Sequence, residues 1–382
     1  MNLAPSETDR ELASAVRTWA GGLGERSARA EREGTLPLDV VRELGELGVL
    51  GMTIPERDGG LGASTVAFAL VLEELAAAWP SLAVGVSVNS GIVAGSVVRY
   101  GTAEQRKRWL PSLIDGGGLG AFALTEPSSG SDAASLRATA IPDGDGWRLT
   151  GRKQFITSAR YAPFFIVLAR VGAADPARPH NGITAFLVAK DTPGLSVGAA
   201  EQKMGLRASD TSAVVLDGAR VVGDAVLGEI GKGFSLALAG LDGGRIGIAA
   251  QSVGIARAAI ERAVAYGKER RQFGRSIASF EAVRFQIAQA RTELDAARLL
   301  THRAARLRDC GQPFTREASM AKLYASEAAQ RATYTGVQIF GGYGFMSEYE
   351  AERYARDARA TTLYEGTSEI QRTVIARSLV AA

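Results

Sequence analysis

The sequence has very few residues of the kinds that form disulfides and metal centres. Its 382 residues include a single cysteine, Cys310, and two histidines, His180 and His302. One cysteine excludes an intramolecular disulfide and a cysteine-rich metal cluster, and it fits a reducing compartment. The two histidines lie far apart, so neither an HExxH motif nor a Ser-His-Asp triad can be assembled around them. We therefore expect no metal ion in this protein.

Charge of one sign and long apolar runs are also absent. The net charge is +3, from 44 Lys and Arg against 41 Asp and Glu, and the two signs are interspersed. The sequence has no basic patch of the kind that binds nucleic acids, so it gives no indication of nucleic-acid binding. The most apolar stretch, residues 82–98, contains three serines and an asparagine, which predicts a buried helix and no membrane span. The polar segment 6–10 predicts no signal or transit peptide, and the abundant Ala, Gly and Arg are typical of a bacterial, here cytoplasmic, protein.

Nucleotide-binding glycine motifs are missing, although the chain has 45 glycines: no G-x-G-x-x-G and no P-loop occurs. The hydrophobic pattern instead changes twice. Helical spacing extends to Asp115-Gly-Gly-Gly118, short β-rich runs follow, and helical spacing returns after Gly231-Lys-Gly233. This order excludes a doubly wound parallel sheet. It predicts an α+β fold that is mostly α, with domains at 1–118, 119–226 and 227–382.

The middle and last segments have different predicted architectures. Short runs of β-forming residues, separated by turns such as Asp143-Gly-Asp-Gly146, predict an antiparallel β-domain. The last segment has three long helical patterns, at 234–268, 281–308 and 316–340. Helices of this length predict a bundle that partner subunits continue, and therefore a homo-oligomer.

Two segments of the predicted β-domain are candidates for contact with a flat cofactor. Pro and Gly force the loop 125–131, Thr-Glu-Pro-Ser-Ser-Gly-Ser, into an irregular path, and such loops turn N–H groups and hydroxyls toward ligands. Phe155 and Thr157 are two residues apart in a predicted strand and therefore point to the same side. Simpler interpretations are an ordinary Ser/Gly-rich turn and a core aromatic residue.

A third segment places the carboxylate of Glu365 before a Gly-Thr-Ser turn that leads into the last helix. By itself this pattern is compatible with a helix cap, although Thr367 or Ser368 would serve better in that role. Taken together, eight stretches at compatible spacing resemble the acyl-CoA dehydrogenase family over essentially the whole chain. The sequence is most similar to the short-chain, butyryl-CoA type of that family. The stretches are 122–132, 151–158, 203–211, 227–234, 241–246, 269–274, 337–344 and 364–371.

The resemblance implies a fold and a cofactor. The family has an N-terminal helical domain, a middle β-domain and a C-terminal four-helix domain that assembles dimers into tetramers, and it binds FAD without a dinucleotide motif. Carried over by position, the implied FAD contacts within one chain are Phe122, Leu124, Thr125, Gly130, Ser131, Phe155, Thr157, Thr367 and Glu369. The implied contacts to the FAD of a neighbouring subunit are Arg270, Gln272, Phe273, Phe280, Gln338 and Gly342.

The resemblance also implies a reaction: flavin-dependent α,β-desaturation of an acyl-CoA thioester to the trans-2-enoyl-CoA, with electron-transferring flavoprotein as acceptor. Glu365 matches the base that removes the α-proton, and an apolar pocket should raise its pKa. The Glu365 N–H is the implied donor to the thioester carbonyl. Some relatives carry the catalytic base on a long helix. The residue at that position here is Gly244, which has no side chain and cannot act as a base.

The implied substrate contacts are Ser131, Asp242, Arg245 and Gly366. For Asp242 and Arg245, a simple i,i+3 ion pair on a helix is the alternative interpretation. Residues 82–87 lack the arginine with which glutaryl-type enzymes pair a distal carboxylate. A dicarboxylic substrate is therefore disfavoured, and a short or medium acyl chain is predicted.

One departure from the family pattern leaves the electron acceptor open. Phe155 stands where the family commonly has Trp. Phenylalanine keeps an aromatic ring face but lacks the indole N–H, and this residue flanks the flavin edge where electrons leave. Acyl-CoA oxidation by oxygen, desaturation of a carrier-protein thioester, and a non-catalytic helical scaffold are the alternatives.

Overall fold

The computed structural model describes residues 4–380 of the chain. Helices form the first part of it. The first helix begins at a capping box, in which the Ser6 hydroxyl accepts from the Asp9 N–H and the Asp9 carboxylate accepts from the Ser6 N–H. Thr102 and Gln105 form a second such box. The helices are α1 Glu7–Ala20, α2 Gly24–Glu33, α3 Leu38–Glu46, α4 Thr65–Ala78, α5 Pro80–Val86, α6 Gly95–Tyr100, α7 Ala103–Trp109 and α8 Pro111–Ile114.

One continuous helical stretch, Pro80–Tyr100, joins α5 and α6 through a π-helical segment, Ser87–Ala94. By length and composition this stretch could cross a membrane, but 89% of its 18-residue apolar window is buried inside the protein. The prediction of a buried helix at 82–98 is therefore confirmed. Widened turns of this kind frequently mark functional sites.

The middle of the chain forms a sheet. Its strands are β1 Ala121–Ala123, β2 Thr139–Asp143, β3 Gly146–Thr157, β4 Phe164–Val171, β5 Ile183–Ala189, β6 Leu195–Ala200, β7 Thr211–Val222 and β8 Val226–Leu227. The order is β6-β7-β3-β2-β4-β5-β8, with β1 beside β4. Most pairings are antiparallel, and two are parallel: β1 with β4 and β2 with β4. The predicted domain limit at 226 falls inside β8.

Long helices resume after the sheet. They are α9 Gly233–Glu269, α10 Glu281–Asp309, α11 Thr315–Phe340, α12 Glu350–Ala360 and α13 Ser368–Val380, with a small hairpin of β9 Arg271–Gln272 and β10 Arg275–Ser276 after α9. Helix α9 packs against α4, α10, α11 and the π-helical segment. Its approach to α4 depends on Gly254, where a Cβ would lie 2.3 Å from the Glu73 carbonyl oxygen.

Ion pairs to two buried glutamates join the N-terminal helices to this bundle. Glu74 of α4 pairs with Arg17 of α1 and with Arg257 of α9, each at 2.6 Å. Its neighbour Glu73 pairs with Arg298 of α10 at 2.8 Å. Removing one partner of such a pair leaves an uncompensated buried charge, so the network fixes these four helices relative to one another.

Candidate active site

The loop between α12 and α13 holds Glu365 in a left-handed backbone conformation, with φ of +50° at Glu365 and +90° at Gly366. Non-glycine residues rarely adopt positive φ, and such strain persists only where the surroundings enforce it. Lys322 Nζ donates to the Gly366 carbonyl at 2.8 Å. Gln371 Nε2 donates to the carbonyls of Glu365 and Gly366 at 3.1 and 2.9 Å. The loop is therefore fixed from both α11 and α13.

The Glu365 carboxylate lies against Gly244 of α9. A Cβ at Gly244 would lie 2.0 Å from Glu365 Oε2, so the carboxylate fills the space that any larger residue would need. Both carboxylate oxygens are buried and have no hydrogen-bond partner within residues 4–380. Burial raises the pKa of Glu365 to about 7, against the opposing effects of Lys322 and Arg245. A buried carboxylate with this pKa is a candidate general base.

Apolar side chains surround this carboxylate. Ile92 Cδ1 would lie 2.9 Å from a Cβ at Gly244. A small apolar cluster continues along the same face of α9, because Ile248 follows Gly244 by one helical turn. The cluster consists of Val84, Leu206 and Ile248, with Ala360 and Tyr364 packed against it. Such a lining suits the hydrocarbon part of a ligand whose reactive carbon meets the carboxylate.

The backbone of Glu365 offers a second functional group. Its N–H donates to no acceptor in the described part of the chain. Unpaired backbone N–H groups next to a buried site are uncommon, and they are the usual donors to a carbonyl oxygen that becomes negative during reaction. The arrangement is compatible with the predicted contact to a thioester carbonyl.

The predicted substrate contacts Asp242 and Arg245 form an ion pair with each other. Arg245 NH1 lies 2.7 Å from Asp242 Oδ1, and Thr315 donates its hydroxyl to Asp242 Oδ2 at 2.5 Å. The i,i+3 interpretation therefore describes their contact correctly. Arg245 Nε, however, is buried without a partner among the described residues. Arg245 directly follows Gly244, the α9 residue against which the Glu365 carboxylate packs.

A buried ion pair ties the loop 124–131 to β3. Lys153 is fully buried, and its ammonium donates to Glu126 Oε1 at 2.8 Å and to the Leu124 carbonyl at 3.0 Å. Glu126 also accepts two backbone N–H groups just before β2, at 2.7 and 2.9 Å. Burial lowers the pKa of Lys153 to about 8, and Glu126 opposes that shift. The irregular loop thus has a charged anchor beneath it.

Replacing Lys153 with Met should lower the free energy of unfolding by about 3–5 kcal/mol, because Glu126 would remain buried without its cation. Urea unfolding of the purified variant measures this. Lys107→Met, which removes an exposed lysine of α7, is the matched control and should change the value by less than about 0.5 kcal/mol. An unchanged unfolding free energy in Lys153→Met would show that the pair does not anchor the loop.

A β-bulge changes the direction of β3 beside the same loop. The register against β7 shifts just before Ile156, and Phe155 has φ of +58°. Phe155 is 64% exposed, whereas Ile156 is buried and Thr157 is half-buried, so the ring of Phe155 faces open space at the bulge. The Gln154 N–H donates to the Thr125 carbonyl at 2.8 Å, which brings the loop and the bulge together.

The other predicted contacts of this group lie on β1 and the turn after it. Phe122 is half-buried in β1, and Leu124 is buried just beyond it. Gly130 and Ser131 are exposed, and a Cβ at Gly130 would meet no atom within 4 Å. The hydroxyls of Thr125, Ser131 and Thr157 make no hydrogen bond within residues 4–380. With the Phe155 ring, they form an open surface with free polar groups.

A second group of predicted cofactor contacts lies at the end of α9. Arg270, Gln272 and Gly342 line one cavity of about 570 Å³ between that end and the turn after α11. Next to it, Phe273 is 93% exposed and has φ of +52°. The Phe280 ring centre lies 6.1 Å from that of Phe273. Exposed Gln338 completes the group on α11.

Among residues 4–380, no hydrogen bond, ion pair or ring contact joins this second group to Glu365 or to the loop 124–131. The separation is compatible with the expected role of Arg270 and Phe273 toward a neighbouring subunit, which remains a prediction. The predicted residues therefore lie in three groups: the loop 124–131 with the bulge of β3, the Glu365 loop with α9, and the end of α9 with the turn after α11.

The last two predicted cofactor contacts lie where α13 begins. The Thr367 hydroxyl accepts the Ile370 N–H at 3.4 Å, and Glu369 is exposed in the first turn. Thr367 is therefore the residue that caps α13. The alternative interpretation of Glu365 as a cap is wrong, because its carboxylate accepts no N–H.

Four side chains that shape the site were not predicted from the sequence. They are Glu126 and Lys153 under the loop, and Lys322 and Gln371 behind Glu365. Lys322 had one visible signal: it is an isolated charge within the otherwise apolar helical segment 318–325. A buried lysine requires a specific partner, and sequence spacing does not identify that partner.

Models of three consecutive domains match nearly the whole chain. The acyl-CoA dehydrogenase N-terminal domain matches residues 6–117, the middle domain 121–219 and the C-terminal domain 231–380. The predicted fold class is confirmed by these matches and by the structural comparison below.

Individual relatives agree with the domain matches. The bovine short-chain specific acyl-CoA dehydrogenase of mitochondria is 44% identical over 375 residues, covering 98% of this chain and 90% of that protein. An acyl-CoA dehydrogenase of Bacillus subtilis is 44% identical over 350 residues, covering 92% of each. The solved butyryl-CoA dehydrogenase of Megasphaera elsdenii superposes with a TM-score of 0.96 at 37% identity, covering 100% of both chains. The chain therefore belongs to the acyl-CoA dehydrogenase family of FAD-dependent oxidoreductases.

Proposed function

We propose that this protein removes one hydrogen from the α-carbon and one from the β-carbon of a short-chain acyl-CoA, giving the trans-2-enoyl-CoA. The Glu365 carboxylate carries the proposal, because it is buried, unpartnered within residues 4–380 and seated on Gly244. The α-C–H of a thioester is a weak acid, so its removal needs a base fixed in place and a donor for the developing negative charge.

The residues present fit FAD. Free hydroxyls beside the exposed Phe155 ring suit a polar, flat heterocycle, and the space around Gly130 is open. Arg270 in its cavity suits a pyrophosphate, since a guanidinium binds phosphate oxygens in bidentate fashion. When bound, the flavin would accept the β-hydrogen together with its electron pair. The residues proposed to hold it are Phe122, Leu124, Thr125, Gly130, Ser131, Phe155, Thr157, Thr367 and Glu369 of one chain, with Arg270, Gln272, Phe273, Phe280, Gln338 and Gly342 of another.

Glu365 supplies two groups to the acyl thioester. Its carboxylate takes the α-proton, and its backbone N–H donates to the thioester carbonyl oxygen, which becomes more negative as that proton leaves. Both groups belong to one strained residue, so the hydrogen bonds from Lys322 and Gln371 position the base and the donor together. Ser131, Asp242, Arg245 and Gly366 are proposed to contact the substrate, with the free Arg245 Nε as one donor.

A short acyl chain is supported by the packing beyond the carboxylate. One turn after Gly244, a Cβ at Gly247 would lie 2.1 Å from Ser87 Oγ and 3.4 Å from Leu72 Cδ1. Helix α9 and the π-helical segment therefore touch closely there, which leaves little room to extend a chain. Helix α5, Pro80–Val86, has no charged residue to pair with a distal carboxylate.

The proposal includes partners and a compartment. A groove of about 1060 Å³ between α10, α11 and α12 is lined by the exposed rings of Phe285, Tyr334 and Phe345, and we propose that further copies of the chain cover it in a homotetramer. Sedimentation of the purified protein tests this. Electron-transferring flavoprotein is the proposed acceptor, and the cytoplasm of a bacterium the proposed location.

The rate of flavin reduction should depend on pH through Glu365. Its pKa is raised to about 7 by burial, and only the ionised carboxylate can accept the α-proton. The rate should therefore fall as pH decreases below about 7 and level off above that value. Stopped-flow reduction at a saturating acyl-CoA concentration measures the profile. A midpoint near 4.5, the ordinary value for Glu, would contradict a buried base.

Anaerobic mixing of the yellow protein with acyl-CoAs of increasing chain length tests the proposed substrate. Loss of the oxidised flavin absorbance with butyryl-CoA and hexanoyl-CoA, and little with palmitoyl-CoA, is the expected result. Bleaching only by a carrier-protein thioester would overturn the CoA assignment. Rapid reoxidation of the reduced protein by air would instead indicate an oxidase, and a colourless protein that binds no FAD would indicate a scaffold.

A further inference from the structure

We infer that Lys322 is a positioning residue, which anchors the Glu365 loop and supplies a positive charge that favours the ionised form of the buried carboxylate. The inference rests on the proposed role of Glu365 as the base. Lys322 belongs to α11 and is fully buried. Lysine is almost never fully buried unless it is paired. Its hydrogen bond within residues 4–380 goes to a neutral group, the Gly366 carbonyl, at 2.8 Å.

The electrostatic partner of this lysine is Glu365. Burial lowers the pKa of Lys322 to about 8, and Glu365 is the strongest charge that opposes this shift. Burial likewise raises the pKa of Glu365 to about 7, and Lys322 is the strongest charge that opposes that one. Each group therefore stabilises the charge of the other, although the ammonium binds the backbone of the next residue instead of the carboxylate.

Other titratable groups near the pair do not replace Lys322. They are Arg245 from α9, Glu327 from α11, Tyr364 from the loop and Glu369 from α13. Arg245 is already bound to Asp242 at 2.7 Å, which offsets its charge. Glu369 is exposed, so solvent screens it. The Tyr364 hydroxyl donates to Gln251 at 2.5 Å. Of the two cations that lower the pKa of Glu365, Lys322 has the larger effect, and Arg245 is the one paired with a carboxylate.

The hydrogen bond from Lys322 to the Gly366 carbonyl also fixes the backbone conformation of the Glu365 loop. Gly366 directly follows Glu365, and its carbonyl accepts from both Lys322 Nζ and Gln371 Nε2. These bonds hold the two consecutive residues at positive φ. A shift of the Gly366 peptide would move the carboxylate and the N–H of Glu365 together, so the lysine acts on the reaction through its neighbour and not by touching the substrate.

The test is an infrared titration of the FAD-loaded protein without substrate. The carboxylic-acid band of Glu365 is identified by its loss in Glu365→Gln, and its midpoint is compared among variants. Lys322→Met and Lys322→Gln remove the charge and should move the midpoint upward by about one to three pH units. Lys322→Arg keeps the charge and should leave it near the wild-type value. Lys107→Met controls for the change in net charge.

A lysine that serves only packing would lower the melting temperature and leave the midpoint unchanged. An unchanged midpoint in whichever uncharged variant folds therefore overturns the inference. A second readout is the pH profile of flavin reduction, whose midpoint should rise in parallel. If the wild-type protein is bleached by no acyl-CoA, the proposed function fails, whereas the substrate-free titration still decides the role of Lys322.

Discussion

Replacing Glu365 with Gln should slow reduction of the bound flavin by an acyl-CoA roughly 10²- to 10⁴-fold, the usual contribution of a positioned base. The amide has nearly the same size but cannot accept the α-proton. The backbone bonds from Lys322 and Gln371 do not involve the side chain, so the loop should keep its conformation. The variant should therefore fold and remain yellow, and anaerobic stopped-flow absorbance measures the loss.

The matched control is Glu104→Gln, which alters an exposed carboxylate of α7 away from the site. It should reduce its flavin at the wild-type rate. If Glu365→Gln also retained the wild-type rate, Glu365 would not be the base, and the buried, unpartnered carboxylate would need another explanation.

Replacing Gly244 with Ala should cost about 10²-fold in the same rate. The added Cβ would lie 2.0 Å from Glu365 Oε2 and 2.8 Å from its Cδ, far inside van der Waals contact. The carboxylate must then move by about 1 Å, and a displacement of that size in a reacting group can cost this much. FAD binding should persist, because Gly244 is on α9 and not among the proposed cofactor contacts.

Gly267→Ala is the control for this substitution because it alters another glycine of α9. A Cβ at Gly267 would meet no atom closer than 3.6 Å, so the change adds only helix propensity, up to about 1 kcal/mol of stability. Its rate should equal that of the wild type. A wild-type rate in Gly244→Ala would show that the carboxylate does not occupy this space when the proton is transferred.

The long helices were the most predictable part of the fold. The patterns at 234–268, 281–308 and 316–340 correspond to α9, α10 and α11 within one residue at each end. Many repeats of the 3.6-residue period define such helices, and nearby glycine turns mark where they begin. Short strands carry far less signal. Leu195–Ala200 forms β6 although it contains Ser, Gly and two Ala, because pairing with β7 outweighs its weak β-propensity.

The bulge in β3 was not predicted. The sequence pattern predicts only short β-rich runs in this region, whereas Gly146–Thr157 is one strand with two register shifts. Those shifts come from pairing with β7, a partner more than fifty residues away in sequence, so local residue preferences do not reveal them. The bulge interrupts the regular alternation of β3 at Phe155, whose exposed ring lies at positive φ, so the common face expected for Phe155 and Thr157 stays a prediction.

The motif located Glu365 but not the features that make it a base. The contact of Lys322 with Gly366 joins α11 to the loop before α13, and the seat on Gly244 joins that loop to α9. Periodicity identifies which face of a helix is buried but not which side chain of another helix meets it. Both the raised pKa and the strained backbone are therefore properties of tertiary packing.

The most direct test of the account is a single turnover. The FAD-loaded wild-type protein is mixed with butyryl-CoA in the absence of oxygen, and the flavin absorbance is followed. The mass of the released thioester is then measured by mass spectrometry. The account predicts bleaching of the flavin and one equivalent of a product lighter by two hydrogen atoms. Retained yellow colour with unchanged butyryl-CoA, in a protein that keeps its FAD, would contradict it.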